Sequence, residues 1–180
     1  MKICGKIKTD KMKIKVLSES PEETQKIASL LINTILKQKN LKRNKALVIS
    51  LEGNLGSGKT EFFKGIAKGI KLKERIFSPT FLIMKRFTLE HELFRAKRGK
   101  RFPSDSEGFL FKFLWHLDCY RLKKISEIKE LDFKEIIKNY QNIIFIEWGN
   151  KIKRFLPKNH WMIKFKIKGE NKRSLELEIP

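Results

Sequence analysis

The sequence predicts an α/β fold in three layers, with a mostly parallel central sheet and an antiparallel hairpin at its C-terminal end. Three observations carry this. A buried-strand pattern, Ala46–Glu52 (ALVISLE), runs directly into a glycine-rich turn and then an amphipathic helix. A second run, Asn142–Glu147 (NIIFIE), apolar from Ile143 to Ile146, has the composition of a strand covered on both faces. Strand-like and helix-like segments alternate between them.

Taken in order, Met1–Lys11 is a short basic extension, and residues 12–180 are expected to form one domain. Lys13–Leu17 (KIKVL) alternates like an edge strand. Ser20-Pro21-Glu22-Glu23 starts a helix: Ser20 can cap, Pro21 suits the first helical position and Glu23 can close a capping box. Ile27, Leu30, Leu31 and Ile35 then recur at helical spacing to about Lys37. After Ala46–Glu52 the helix is expected over Glu61–Ile70. Phe77–Phe87 holds a turn at Ser78-Pro79 and a strand, Phe81–Arg86. Phe113–Asp118 (FLWHLD) is the next strand. Ser126–Asn139 reads as helical with a break near Asp132, and Lys151–Leu156 as a short helix stopped by Pro157. Trp161–Ile167 and Leu175–Ile179 form a hairpin around Gly169–Asn171.

Composition limits function. Lys plus Arg is 41 against 20 for Asp plus Glu, a formal net charge of +21. That charge favours polyanions, but the cations run along the whole chain, so a diffusely solvated basic surface weighs as much as a dedicated RNA face. The densest cluster, Arg95–Arg101, has five cations in seven residues and sits in a low-complexity stretch at about 90–112. Cys4 and Cys119 are too few for a disulfide scaffold, and His91, His116 and His160 are too scattered for structural zinc. No apolar run approaches the ~18 residues of a membrane span and the start lacks a signal-peptide core, so a cytoplasmic location is expected.

Gly53-Asn54-Leu55-Gly56-Ser57-Gly58-Lys59-Thr60 matches GxxxxGK[ST] in full, between the strand and helix that a P-loop requires. Glycines let backbone N–H groups turn inward around a phosphate, and the helix N-terminus that follows, with Glu61 next, favours an anion. Lys59 would reach the outer phosphates of a nucleotide and Thr60 would hold Mg²⁺. The metal's acidic partner should end a neighbouring buried strand. Glu147 and Asp118 both do so. Glu147 is preferred for the metal and Asp118 for orienting the attacking water, although the two roles could be exchanged. Ser78-Pro79-Thr80-Phe81 fits a γ-phosphate sensor or a plain turn equally. His116 lies on the same strand face as Asp118, as a site support or a buried hydrogen-bonded histidine. Trp148 is expected in the core.

Several blocks occur in order: SPEET at Ser20–Thr24, LEGNLGSGKTEF at Leu51–Phe62, SPTF at Ser78–Phe81, HLDCYRL at His116–Leu122 and IEWGN at Ile146–Asn150. Together they resemble the TsaE (YjeE) family of bacterial P-loop ATPases, over roughly Lys13–Ile179. The resemblance implies a three-layer P-loop NTPase sandwich and a weak, Mg²⁺-dependent ATPase needed to make threonylcarbamoyladenosine on tRNA. It implies TsaD and TsaB as partners, with ATP use resetting their complex between rounds. It places Thr60 and Glu147 at Mg²⁺, Asp118 in hydrolysis, and Ser18–Thr24 near the nucleotide. ATP over GTP rests on this resemblance, since a P-loop touches phosphates only. The family's usual GDLGAGKT carries Asp where this chain has Asn54, and Ala where it has Ser57. The Phe81–His116 connection is longer than the family pattern, and its basic cluster could meet tRNA or a partner, although a solvated loop is the slightly better reading.

Two other classes remain open on the residues alone. A small-molecule P-loop kinase could use Arg95–Arg101 as a lid, but leaves the SPTF, HLDCYRL and IEW blocks unexplained. A non-enzymatic RNA-binding module would bind RNA steeply with salt, whether or not Lys59 is intact. A GTPase is disfavoured by the lack of DxxG and NKxD blocks.

Overall fold

The computed structural model of the protein describes residues 12–37, 44–72, 83–89, 111–124 and 126–180. The Met1–Lys11 extension, the SPTF block, Arg95–Arg101, and the rest of the expected insertion up to residue 110 lie outside the described residues.

The elements are β1 (Met12–Ser18), α1 (Pro21–Lys37), β2 (Leu47–Glu52), α2 (Lys59–Gly69), β3 (Met84–Thr88), β4 (Phe113–Asp118), α3 (Ser126–Glu130), α4 (Phe133–Lys138), β5 (Asn142–Glu147), a 3-10 helix (Gly149–Phe155), β6 (Trp161–Ile167) and β7 (Arg173–Ile179). The strands make one seven-stranded sheet in the order β1-β7-β6-β2-β5-β4-β3. The middle four, β6-β2-β5-β4, are parallel. Antiparallel pairs close both sides: β6–β7 and β7–β1 on one, β3–β4 on the other. The sequence placed antiparallel pairing only at the C-terminal end, so β3 is the addition. It also runs later than the expected Phe81–Arg86.

The two apolar strands are buried because each sends side chains into both layers. Leu47, Ile49 and Leu51 of β2 and Ile143 and Phe145 of β5 meet α1 and α2. Val48 of β2 and Ile144 and Ile146 of β5 meet α3, α4 and the 3-10 helix. Alternation at period two thus builds two cores from one sheet. Asp132, with φ 50°, breaks the helical run between α3 and α4, as its sequence pattern suggests.

The start of α1 follows the capping chemistry of SPEET. The Glu23 amide donates to Ser20 Oγ at 3.1 Å. The Glu23 carboxylate accepts from the Glu19 amide at 2.7 Å, one residue earlier than in the standard capping box. Thr24 is buried, its hydroxyl bonded to Ser18 Oγ at 2.7 Å. Helix α1 then lies close against α2. A Cβ on Gly69 would come within 2.6 Å of Ile32 Cγ2, and one on Gly65 within 2.8 Å of the Ala28 Cβ and nearer still to the Gln25 backbone. Two glycines four apart, on one helix face, set this approach.

Strand β1 is an edge, and Met12, Ile14, Val16 and Leu17 are exposed on it. Lys13 on the same strand reaches Glu178 of β7 at 3.7 Å.

Gly65→Ala should lower stability by about 1–3 kcal/mol in urea unfolding, because an added methyl meets backbone that cannot yield. The gain in helix propensity, about 1 kcal/mol, acts the other way and does not offset it.

Candidate functional site

The turn after β2 is shaped by glycine. Gly53, Gly56 and Gly58 have φ values of 154°, 73° and 99°. At Gly53 a side chain is also excluded by space, since a Cβ would fall 2.7 Å from the Phe165 carbonyl oxygen. Gly58 immediately precedes Lys59, the first residue of α2, so the helix N-terminus opens directly onto the turn. Leu55 to Glu61, Asp118, Tyr120, Arg121, Glu147 and Trp148 line a cleft of about 290 Å³ there.

Lys59 is buried at the floor of this turn. Its Nζ donates to the Gly53 and Asn54 carbonyls, both at 2.9 Å, and to Ser57 Oγ at 3.4 Å. The Trp148 ring covers it, 4.1 Å from Nζ to the ring centre. Burial pulls the Lys59 pKa below the ordinary lysine value, and the Glu147 and Asp118 carboxylates oppose that shift.

Strand register supplies the acids. In the β4–β5 pairing Asp118 stands opposite Glu147, and in β2–β5 Leu51 stands opposite Glu147. Both carboxylates therefore emerge beside the end of β2. The Thr60 hydroxyl donates to Glu147 Oε2 at 3.1 Å. Glu147 Oε1 lies 3.1 Å from His116 Nε2, and both groups are buried. The His116 ring stacks on Phe63 of α2 at 3.7 Å. Asp118 is oriented differently: its Oδ1 accepts the Tyr120 amide at 2.9 Å.

Thr60 Oγ1 and the Glu147 carboxylate are hard oxygen donors 3.1 Å apart at the mouth of an anion-favouring turn, a donor set suited to Mg²⁺ bound together with phosphate and water. Among the described residues there is no group of three or more His, Cys, Asp or Glu side chains that could hold a metal alone. A metal here would depend on its nucleotide for the remaining ligands.

The family model described as threonylcarbamoyl adenosine biosynthesis protein TsaE matches residues 18–175. The chain belongs to the TsaE family. Among curated relatives, the tRNA threonylcarbamoyladenosine biosynthesis protein TsaE of Bacillus subtilis is 31% identical, over 87% of this chain and 79% of its own. That of Rickettsia felis is 32% identical, over 88% and 75%. Among solved structures, Bacillus subtilis YdiB superposes with a TM-score of 0.64 and 26% identity, over 94% of this chain and 86% of YdiB.

This TsaE chain brings most of the sequence-selected residues together. Leu55, Gly56, Ser57, Gly58, Lys59, Thr60, Glu61, Asp118 and Glu147 line one cleft. Gly53 and Asn54 stand behind it and hold Lys59 through their carbonyls. Glu61 also ties the α1 start to the turn, accepting from Gln25 Nε2 and Lys64 Nζ, each at 2.6 Å. That contact brings the SPEET block beside the P-loop helix. Trp148 packs half-buried against the core as expected, and it also lines the cleft, with φ 60°, a strained conformation for a bulky residue. Tyr120 and Arg121 were missed as cleft residues, though both belong to the HLDCYRL block. Their adjacency to Asp118 was the available signal. Of the described helices, none is long and apolar enough to cross a membrane.

Burial raises the Asp118 pKa and the Glu147 charge adds to it, against the Tyr120 amide, His116 and Lys59. A raised carboxyl pKa favours the folded state only where Asp118 is protonated, and that benefit is lost as pH climbs through the folded value. Asp118→Asn should therefore raise the melting temperature at pH 7 relative to wild type, with the difference vanishing near pH 3, in paired thermal melts. Burial pushes the Cys119 thiol up to about 12, so iodoacetamide at pH 8 should leave it unmodified in the native protein and alkylate it after unfolding, by peptide mass mapping.

Proposed function

We propose that this chain is the ATP-binding and weakly hydrolysing member of the tRNA threonylcarbamoyladenosine pathway, acting in the cytoplasm as one ATPase domain over residues 12–180. The observation that carries the reading is the meeting of the Thr60 hydroxyl with the Glu147 carboxylate at the P-loop helix N-terminus, with Asp118 alongside.

Each residue has a distinct role in it. Gly56 to Thr60 cradle the phosphates with backbone N–H groups, and Lys59 neutralises their outer oxygens. Thr60 and Glu147 hold Mg²⁺, which when bound offsets charge on the phosphate oxygens. Glu147 is assigned to the metal ahead of Asp118 because it is the acid that meets Thr60, while His116 keeps its other oxygen in place. Asp118 orients the attacking water and accepts its proton, a task helped by burial, which raises its carboxyl pKa above the ordinary value. Turnover by the isolated chain is slow. Binding to TsaD and TsaB makes ATP use productive, resetting their complex between rounds of tRNA modification. The family's printed description and its named relatives support the pathway.

ATP hydrolysis by the purified chain, alone and with TsaB plus TsaD, tests the proposal. The expected result is slow activity that changes with the partners and disappears in Lys59→Ala. Partner-indifferent turnover, or a phosphorylated metabolite product, would favour the kinase reading. Asp118→Ala should keep nucleotide affinity and lose turnover, at about 2.7–4 kcal/mol in barrier height. Glu147→Ala should weaken the Mg²⁺ dependence of nucleotide binding. Wild-type hydrolysis by Asp118→Ala would remove that residue from the mechanism.

A further inference from the structure

One side chain from the far hairpin grips the P-loop. Arg173 opens β7, opposite Ile167 of β6 and Ser18 of β1. Its Nη1 donates to the carbonyls of Gly169, Glu170 and Lys172 at 3.0, 3.0 and 2.9 Å, closing the turn it follows. Its Nη2 donates to the Gly56 carbonyl at 3.0 Å, across 117 positions of sequence. Its stem runs beside the same turn, since a Cβ on Gly58 would lie 3.8 Å from Arg173 Cγ. Its Nε–H is buried with no partner among the described residues.

We infer that Arg173 is a positioning residue for the phosphate-binding turn: it fixes the Gly56–Ser57 peptide and so sets nucleotide affinity without touching the nucleotide. The inference rests on the proposed nucleotide reading of the site. The turn needs such a support. Three of its residues are glycines at positive φ, which lose much freedom on ordering. Its inner side is fastened by Lys59 to the Gly53 and Asn54 carbonyls, and by the Ser57 amide to the Asn54 carbonyl at 3.1 Å. Among the described residues the apex has little packing, because Leu55 is 71% exposed and no described atom stands within 4 Å of a Cβ on Gly56. Arg173 fastens that apex from outside. Backbone donors bind an anion tightly only when their geometry is set beforehand.

The choice of arginine fits this role. A planar fork can satisfy the hairpin turn with one nitrogen and the P-loop with the other, which a lysine ammonium cannot do in the same geometry.

The test titrates the purified chain, without partners, with a fluorescent ADP analogue. Wild type, Arg173→Ala, Arg173→Lys and Lys59→Ala are compared, with melting temperatures and amide hydrogen exchange recorded for each. Arg173→Ala should raise the Kd about tenfold, the loss expected for one charge-assisted hydrogen bond. Arg173→Lys should raise it nearly as much, although the charge is kept. In both, the amides of residues 54–58 should exchange faster, and kcat at saturating ATP should stay within about twofold of wild type. Wild-type affinity in Arg173→Ala would overturn the inference. Full recovery in Arg173→Lys would also overturn it, by reducing the effect to charge. A fall in kcat at unchanged Kd would overturn it as well. If Arg173→Ala fails to fold, Arg173→Lys alone carries the comparison. Wild type that binds no nucleotide would instead sink the nucleotide reading, while the exchange rates would still report whether Arg173 holds the turn.

Discussion

The cleft depends on a single strand register. Glu147 stands opposite Leu51 on one side and Asp118 on the other, so three buried strands end at one level. Strand side chains alternate with period two, and a slip of one residue would turn Glu147 from the Thr60 side into the opposite layer. The register is held by cores on both faces of β2 and β5. A shift would carry Ile143, Phe145, Ile144 and Ile146 into the wrong layers together. Two hydrophobic cores thus act as the ruler that places a hydroxyl and a carboxylate 3.1 Å apart.

That placement gathers charge where water is scarce. Lys59, His116 and Glu147 are all buried. An ion or polar group left alone there would be costly, so each is enclosed by partners. Lys59 has two carbonyls, a hydroxyl and the Trp148 ring. Glu147 has one partner for each oxygen, and the His116 ring is in turn held flat against Phe63. The positive φ of Trp148 belongs to the same arrangement, since the turn that places its indole over Lys59 lies directly after Glu147. The site trades backbone ease for enclosure of its cation.

Local chemistry was legible in the sequence wherever residues adjacent in the chain decide the outcome. Helix α1 begins at the predicted proline, β4, β5 and β6 span their predicted residues, and the P-loop lies between the expected strand and helix. Pairing was less legible. Strand β7 begins at Arg173, two residues before the expected Leu175, because it is extended by β1 and β6 on its two sides. The short helix starts at Gly149, earlier than Lys151, as the chain turns tightly off β5 through Trp148. In the site, the P-loop residues, Glu147 and Asp118 could be chosen from motif and strand-end position. Arg173 could not, because nothing in a hairpin sequence shows which distant carbonyl its guanidinium meets. Trp148 packs against the core as its composition suggests, and the left-handed turn after Glu147 brings the same ring to the cleft, which no composition shows.

The edge strand gives the high net charge a colloidal meaning. Strand β1 carries Met12, Ile14 and Val16 exposed along a sheet border, the kind of ladder onto which another extended chain can add. Lysines alternate with them at positions 13 and 15, and the whole molecule carries +21. Among the described residues nothing pairs with that border, and mutual repulsion between copies guards it. This guard is ionic, so it weakens as the Debye length shrinks from about 10 Å at 0.1 M salt to about 3 Å at 1 M. Salt is therefore the variable that couples the solubility of this chain to the open end of its sheet, whatever polyanion or protein it meets elsewhere.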